Sequence, residues 1–198
     1  MLKNKFQILC QNFTTNQKLI NSLWLEIEEY HSKPNRYYHT LEHLKNIYRE
    51  LPTYDAVTEF AIFYHDIVYD TSQNDNEEQS ASLCEEQLTL LNLPPNIVQE
   101  VKQLILETKT HEASLKRNAL FLDADLAILG SDEEVYKKYI HNIRQEYSMY
   151  SDDVYNEGRQ KVLKHFLEKE RIYLSEYFYE LYEKSARNNI TIEYNSLI

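Results

Sequence analysis

The sequence predicts an all-α protein that forms a single domain. It contains two glycines and four prolines in 198 residues, against roughly 12% of both in an average protein, so few positions suit the tight turns of β-hairpins. Apolar residues recur at the three- and four-residue spacing of amphipathic helices through most of the chain. A chain of this length buries on the order of 70% of the surface that its unfolded form exposes. One helical domain therefore suffices without a disulfide framework.

The acidic composition argues against two classes of partner. The formal net charge is −11, whereas nucleic acids and anionic membranes attract basic surfaces. The apolar run at residues 6–10 is too short for a signal peptide, and no later run is long enough for a membrane span. Cys10 and Cys84 lack metal-ligand spacing and are interpreted as inert buried thiols. We therefore expect a cytoplasmic protein whose partners include no nucleic-acid polymer and no membrane.

Nine helices are expected from the apolar spacing and from residues that begin helices. Asn35 caps the second, Asp75 and Glu78 form a capping box for the fourth, and Pro94 precedes the fifth. Residues 119–129 are rich in Ala and Leu and are interpreted as helical, although a short buried strand also fits the pattern. The expected helices cover residues 16–30, 36–50, 56–70, 76–91, 94–108, 119–129, 131–147, 155–171 and 175–188.

Two apolar segments contain polar residues that are costly to bury. Residues 56–70 are apolar on nearly every side of a helix, yet they include His65 and Asp66. Residues 119–129 likewise enclose Asp123 and Asp125. An unpaired imidazole or carboxylate in an apolar core costs roughly several kcal/mol, so the fold must supply partners or a cation. A metal ion held between the two segments would satisfy both.

Two more histidines occur on the helix expected at residues 36–50. His39 and His43 are four residues apart, so both imidazoles would face the same side of that helix. Arg36, three residues before His39, would lie close to the same face. This helix immediately precedes the apolar segment that contains His65 and Asp66. The imidazoles of His39 and His43 are therefore further candidates for the same site.

These residues resemble the H…HD…D signature of the HD-domain metal-dependent phosphohydrolases, which are helical proteins. More narrowly, the sequence from about residue 36 to residue 187 is similar to a small bacterial family of predicted HD phosphohydrolases, in the segments 36–43, 63–70, 75–77 and 122–130. Tyr38-His39, His43 and Ala124-Asp125-Leu126 are also similar to segments of cyclic-nucleotide phosphodiesterases. The resemblance implies an HD-domain-like helical bundle, with a motif-bearing core at about residues 35–130 and C-terminal helices at 131–190 that pack on it.

The resemblance also implies a metal site. Its ligands would be two imidazoles and two carboxylates, from His43, His65, Asp66 and Asp125, with His39 as general acid. Tyr69 stands where binuclear HD enzymes often have a further histidine. This favours one divalent ion over two, unless His111 supplies a ligand. Mixed nitrogen and oxygen ligation favours Mn, Fe, Co, Ni or Zn over Mg.

The predicted reaction is hydrolysis of a phosphate ester in a small phosphorylated substrate, for which a nucleotide is one candidate. The ligand set leaves room for a water, whose pKa a divalent ion lowers from about 15.7 toward 7. Protonated His39 would donate to the leaving oxygen, and Arg36 near a helix start would bind phosphate. His111 is a further candidate for substrate binding. Candidates for orienting ligands or for a base are Asp70, Glu77 and Asp123.

Several alternatives stay open. The four ligand residues could form a buried ion-pair network without metal. Residues 39–43 also satisfy the H-x-x-E-H pattern of inverzincin proteases, in which Glu42 would be essential. An HD-fold iron oxygenase is another possibility, as is a non-catalytic module that binds a metal or a nucleotide and signals through a partner.

The remaining tyrosines and histidines are given structural interpretations. The chain has seventeen tyrosines, which at helical spacing are interpreted as core and core-edge residues. The tyrosine-rich face at residues 173–182 is a candidate homodimer surface. His31, His141 and His165 are expected at the surface or at helix ends and are assigned no role.

Overall fold

The computed structural model describes residues 1–197, and all regular secondary structure within that range is helical. Within the described range, ten α-helices and two short 3₁₀ helices follow one another, which confirms the all-α prediction. None of the described helices is both long enough and apolar enough to cross a bilayer.

The chain folds into two compact units, Met1–Ser114 and a second that begins at Leu115. The predicted division near residue 130 therefore falls inside the second unit. The single-domain, HD-like arrangement stays a prediction.

The first unit is organised around its most apolar helix. Its six helices are α1 (Leu2–Gln11), α2 (Gln17–His31), α3 (Leu41–Glu50), α4 (Ala56–Tyr64), α5 (Asn76–Leu90) and α6 (Pro95–Glu107). α4 contacts α1, α3, α5 and α6, and all its residues from Phe60 to Tyr64 are fully buried. The ring of Phe63 meets the rings of Phe6 and Trp24 edge-on, at centroid distances of 5.1 and 6.4 Å. An all-apolar helix thus lies in the core, as the sequence predicts.

Two helix boundaries in the first unit differ from the prediction, and both lie at the candidate site. α3 begins at Leu41 rather than at residue 36, because the Thr40 side chain accepts a hydrogen bond from the Glu42 amide and caps the helix. α4 ends at Tyr64 rather than at residue 70. After it, backbone groups of residues 66–70 bond to side chains from other segments instead of to a helix. The sequence analysis also missed α1.

The second unit is built on its longest helix. It contains α7 (Ala119–Asp125), α8 (Glu133–Glu146), α9 (Asp152–Glu168) and α10 (Glu176–Ser196), with 3₁₀ helices at Lys116–Asn118 and Ala127–Gly130. The helical interpretation of residues 119–129 is confirmed. α10 runs well past its predicted end at residue 188, whereas α9 begins three residues earlier than expected.

Asn189 on α10 holds the turn at residues 129–131 of the second unit in place by hydrogen bonds. Asn189 donates from Nδ2 to the carbonyls of Leu129 and Ser131, both at 2.9 Å. Close packing adds to this, because a Cβ on Gly130 would lie 2.6 Å from the Cβ of Tyr182. Only glycine therefore fits where this turn meets α10.

The cysteines and two of the three unassigned histidines are placed as expected. Cys10 and Cys84 are buried free thiols, and His141 and His165 are exposed. The interpretation of the tyrosines as core and core-edge residues holds only in part. Among the described residues, five are buried, namely Tyr64, Tyr136, Tyr139, Tyr155 and Tyr173, whereas Tyr37, Tyr54, Tyr177 and Tyr179 are exposed. His31 does end α2, but with 1% of its surface exposed it is a buried residue and not a surface one.

Candidate metal centre

The first ligand candidate, His43, lies in the first turn of α3. Thr40 caps that turn, and the amide of His43 donates to the Thr40 carbonyl at 3.0 Å. Only 4% of His43 is exposed. The capped start of α3 therefore fixes where this imidazole enters the core.

The next two candidates, His65 and Asp66, lie at the end of α4. His65 is the C-cap residue, and its amide donates to the Ala61 carbonyl at 2.9 Å. Its Nδ1 lies 3.2 Å from the Ile62 carbonyl oxygen. A carbonyl only accepts, so Nδ1 is the nitrogen that donates to it, and in the neutral form of the ring Nε2 presents a lone pair. That neutral tautomer is the usual state of a histidine that ligates metal through Nε2.

The three side chains converge on one point. His65 Nε2 lies 3.0 Å from Asp66 Oδ2 and 3.2 Å from His43 Nε2, and His43 Nε2 lies 3.5 Å from Asp66 Oδ2. Ligands about 2.1 Å from a common ion are roughly 3.0 to 3.4 Å apart at octahedral and tetrahedral angles. The observed separations of 3.0 to 3.5 Å are close to the edge lengths of such a coordination polyhedron. The imidazoles are buried, and the Asp66 side chain is 20% exposed, so a cation could bind with access to solvent.

His39, the predicted general acid, lies near this group but not on a helix. Residues 36–40 precede α3, so the expectation that His39 and His43 share one helical face is wrong. The His39 ring stacks on Tyr69 at a centroid distance of 4.0 Å and lies 5.8 Å from the ring of His43. His39 is thus a neighbour of the ligands, as a proton donor to bound substrate should be.

Arg36, the predicted phosphate ligand, is buried and bonded to backbone. Its Nη1 donates to the Asp66 carbonyl at 2.7 Å and its Nη2 to the Ile67 carbonyl at 2.8 Å. Nη1 also lies 3.1 Å from the His39 carbonyl. The guanidinium therefore joins the segment of His39 to the turn of Asp66.

The candidates for a base or an orienting group have other neighbours. Asp70 is exposed, and its Oδ1 accepts from the amide and the hydroxyl of Ser72, which lowers the pKa of its carboxyl. Glu77 lies 3.8 Å from the ammonium of Lys109. His111 follows α6 with a φ of 50° and donates from its amide to the Glu107 carbonyl. Their predicted roles in catalysis or substrate binding stay predictions.

The two acids of the apolar segment 119–129 belong to the second unit. Asp125 is the last residue of α7, and its assignment as a ligand stays a prediction. Asp123 accepts bonds at 2.7 Å from the amides of Leu174 and Ser175, and one from the Ser175 hydroxyl. Burial nevertheless raises the pKa of the Asp123 carboxyl. Asp123 thus anchors the start of α10, and these bonds give it a structural role.

Glu42, which a protease would require, lies on the exposed side of α3. Its carboxylate pairs with Lys45 at 2.7 Å and with Arg49 at 3.0 Å. An exposed carboxylate with two cationic partners is a poor general base, because Lys45 and Arg49 favour its charged form and lower its pKa. This geometry argues against the inverzincin pattern.

Sequence reasoning named His31 and Arg36 but missed that both are buried. His31 follows Ile20, Leu23, Trp24 and Ile27 at helical spacing, so the apolar stripe of α2 could have placed it inside. Its Nδ1 bonds to the Ile27 carbonyl at 2.9 Å. The contacts of Arg36 could not be predicted from local residue spacing, because they join segments thirty residues apart in sequence.

Comparison with known proteins does not extend the resemblance noted in the sequence. No protein-family model, no curated protein and no solved structure matches this chain.

Proposed function

We propose that this protein is a metal-dependent phosphohydrolase that cleaves a phosphate ester in a small phosphorylated metabolite. The observation that carries the proposal is the convergence of His43, His65 and Asp66, with their ligand atoms 3.0 to 3.5 Å apart. The order of these residues in the sequence, followed by Asp125, supports it through the resemblance to HD phosphohydrolases.

The ligand set would hold one divalent cation. Two imidazoles with carboxylates suit Mn, Fe, Co, Ni or Zn better than Mg, which prefers oxygen ligands. We include Asp125 as the fourth ligand on the strength of its place in the HD signature. Tyr69, which stacks on His39, occupies the position where binuclear HD enzymes often have a further histidine.

The chain's own groups would divide the reaction between them. A bound divalent cation supplies hydroxide at neutral pH and offsets charge on the phosphoryl oxygens. His39 in its protonated form would donate to the leaving oxygen, and its stacking on Tyr69 would hold the ring in place. A nucleotide is one candidate substrate.

Metal content is the first test of this proposal. Full-length protein prepared without an affinity tag is soaked in Mn, Fe, Ni or Zn, and the bound metal is measured by mass spectrometry beside Asp66→Ala and Asp125→Ala. We expect near one equivalent in the parent and at least a tenfold weaker site in both variants. His165→Ala, which removes an exposed histidine, is the matched control and should retain the metal.

A panel of phosphate esters, assayed with the metal found, then tests hydrolysis. Turnover by the parent that is lost in His39→Gln with metal retained would support the assigned roles. Absence of metal from the parent would instead favour a buried ion-pair network. Metal without hydrolysis would favour a binding module, and oxygen consumption with two irons would favour an HD-fold oxygenase.

A further inference from the structure

We infer that Arg36 is a positioning residue that holds the turn of Asp66 in the geometry needed for metal binding, and not the phosphate ligand that its sequence position predicts. This inference rests on the proposed metal site. In this role the guanidinium positions Asp66 whether or not a substrate is bound.

Arg36 donates hydrogen bonds to backbone carbonyls of two separate segments of the chain. Its two terminal nitrogens donate to the carbonyls of Asp66 and Ile67, at 2.7 and 2.8 Å, and Nη1 also reaches the carbonyl of His39. A planar guanidinium has donors in a fixed fork, which suits two successive carbonyls. Arg36 is only 6% exposed, so water cannot readily replace it.

The segment after α4 depends on such side-chain bonds, because it belongs to no helix. Ser80 on α5 accepts from the Val68 amide at 3.1 Å and donates to the Val68 carbonyl at 3.2 Å. Asn76 bonds the amide and the carbonyl of Asp70, both at 2.9 Å. Side chains thus supply backbone partners that a helix or sheet would otherwise provide.

The backbone groups bonded by Arg36, Ser80 and Asn76 lie at different distances along the chain from Asp66, the candidate ligand. Arg36 bonds Asp66 itself, Ser80 bonds the chain two residues later, and Asn76 bonds it four residues later. A metal ligand must be held within about 0.5 Å of its productive position. Removing groups that orient ligands typically weakens metal binding 10- to 100-fold. We therefore expect the loss of affinity to decrease from Arg36 to Ser80 to Asn76.

The experiment is calorimetric titration of the full chain with Mn or Zn, whichever the parent binds. Arg36→Met is expected to bind the metal 10- to 100-fold more weakly. Arg36→Lys keeps the charge but not the fork, so it should lie between Arg36→Met and the parent. Arg49→Lys is the matched control, because Arg49 is a 65% exposed arginine on α3, and it should bind as the parent does.

Three readouts separate this role from the alternatives. Millimolar guanidinium should restore part of the metal affinity of an Arg36→Ala variant, which a general loss of folding would not allow. Parent-like metal affinity in Arg36→Lys with a raised KM for a phosphate ester would overturn the inference and restore the phosphate-binding role. If Arg36→Met does not fold, Arg36→Lys alone decides between these outcomes. Absence of metal binding by the parent would defeat the proposed function and, with it, this inference, whereas a parent-like Arg36→Lys defeats the inference alone.

Discussion

The two units bury charged side chains with different kinds of neighbour. In the second unit the buried acids meet donors: Glu193 accepts from Arg159 at 2.7 and 3.0 Å and from the Tyr136 hydroxyl, and Asp123 accepts from two amides and a hydroxyl. In the first unit two imidazole nitrogens and a carboxylate oxygen converge, and such atoms are ligands when the rings are neutral. The contrast indicates that Glu193 and Asp123 stabilise the fold of the second unit and that the cluster of the first unit suits a cation.

The largest expected effect tests whether Glu193 stabilises the fold of the second unit. Glu193→Leu leaves the buried Arg159 guanidinium without its carboxylate, which should lower the free energy of unfolding by about 3–5 kcal/mol. Urea titration followed by circular dichroism measures it. The double variant Glu193→Leu/Arg159→Met should recover most of the loss, and Glu180→Leu, at an exposed position of α10, should change stability little. A loss below about 1 kcal/mol in Glu193→Leu would contradict the structural role.

The second prediction concerns the cluster of the first unit. Metal at a hundredfold excess over its Kd should stabilise the parent by about 2.7 kcal/mol, seen in the fluorescence of Trp24, the single tryptophan, which is 3% exposed. Asp66→Asn should remove this gain. Asp123→Asn should lower the starting stability, because it loses bonds to Leu174 and Ser175, yet keep the gain. Equal gains in both variants would show that Asp66 is not a ligand.

The third prediction uses His31, a buried base of the first unit. Burial, with a smaller contribution from Arg36, lowers the pKa of His31 to about 3. The unfolded chain, with an ordinary pKa near 6.5, binds a proton between these values and the folded protein does not. Stability should therefore fall as the pH drops below about 6.5, by about 2 kcal/mol between pH 8 and pH 5.

A matched variant isolates the contribution of His31 to this pH dependence. His31→Gln keeps a donor for the Ile27 carbonyl but does not titrate, so its metal-free stability should vary less with pH. Identical slopes in parent and variant, measured by urea titration across this range, would show that His31 is not the group responsible.

Local pattern predicted the α-helices after α1 and three residues of the cluster, His43, His65 and Asp66, but it did not predict contacts between residues distant in sequence. The apolar run of α4 and the start of α5 at Asn76 depend on neighbours in the chain, so local spacing located them. The predicted capping box of Asp75 and Glu78 is not formed, because the Asp75 side chain accepts no bond from a backbone amide of the first turn. The end of α4 at Tyr64 could not be found from local spacing. It depends on Arg36 and Ser80, which bond backbone groups twelve or more residues away. The same distant bonds set the geometry of Asp66.

The smallest expected effect is that of a substitution at Glu42. It distinguishes this surface carboxylate from His43, a candidate metal ligand on the same helix. Glu42 is exposed and pairs with Lys45 and Arg49, and such pairs contribute only about 0.2–1 kcal/mol. Glu42→Gln should therefore change stability slightly and leave metal affinity and phosphate-ester hydrolysis near parent values, whereas His43→Gln on the same helix should lose the metal. If residues 39–43 instead form a protease site, Glu42→Gln should also retain the metal but should abolish peptide hydrolysis. Assaying Glu42→Gln with a peptide and with a phosphate ester thus decides whether the H-x-x-E-H protease pattern or the HD signature describes the activity of this protein.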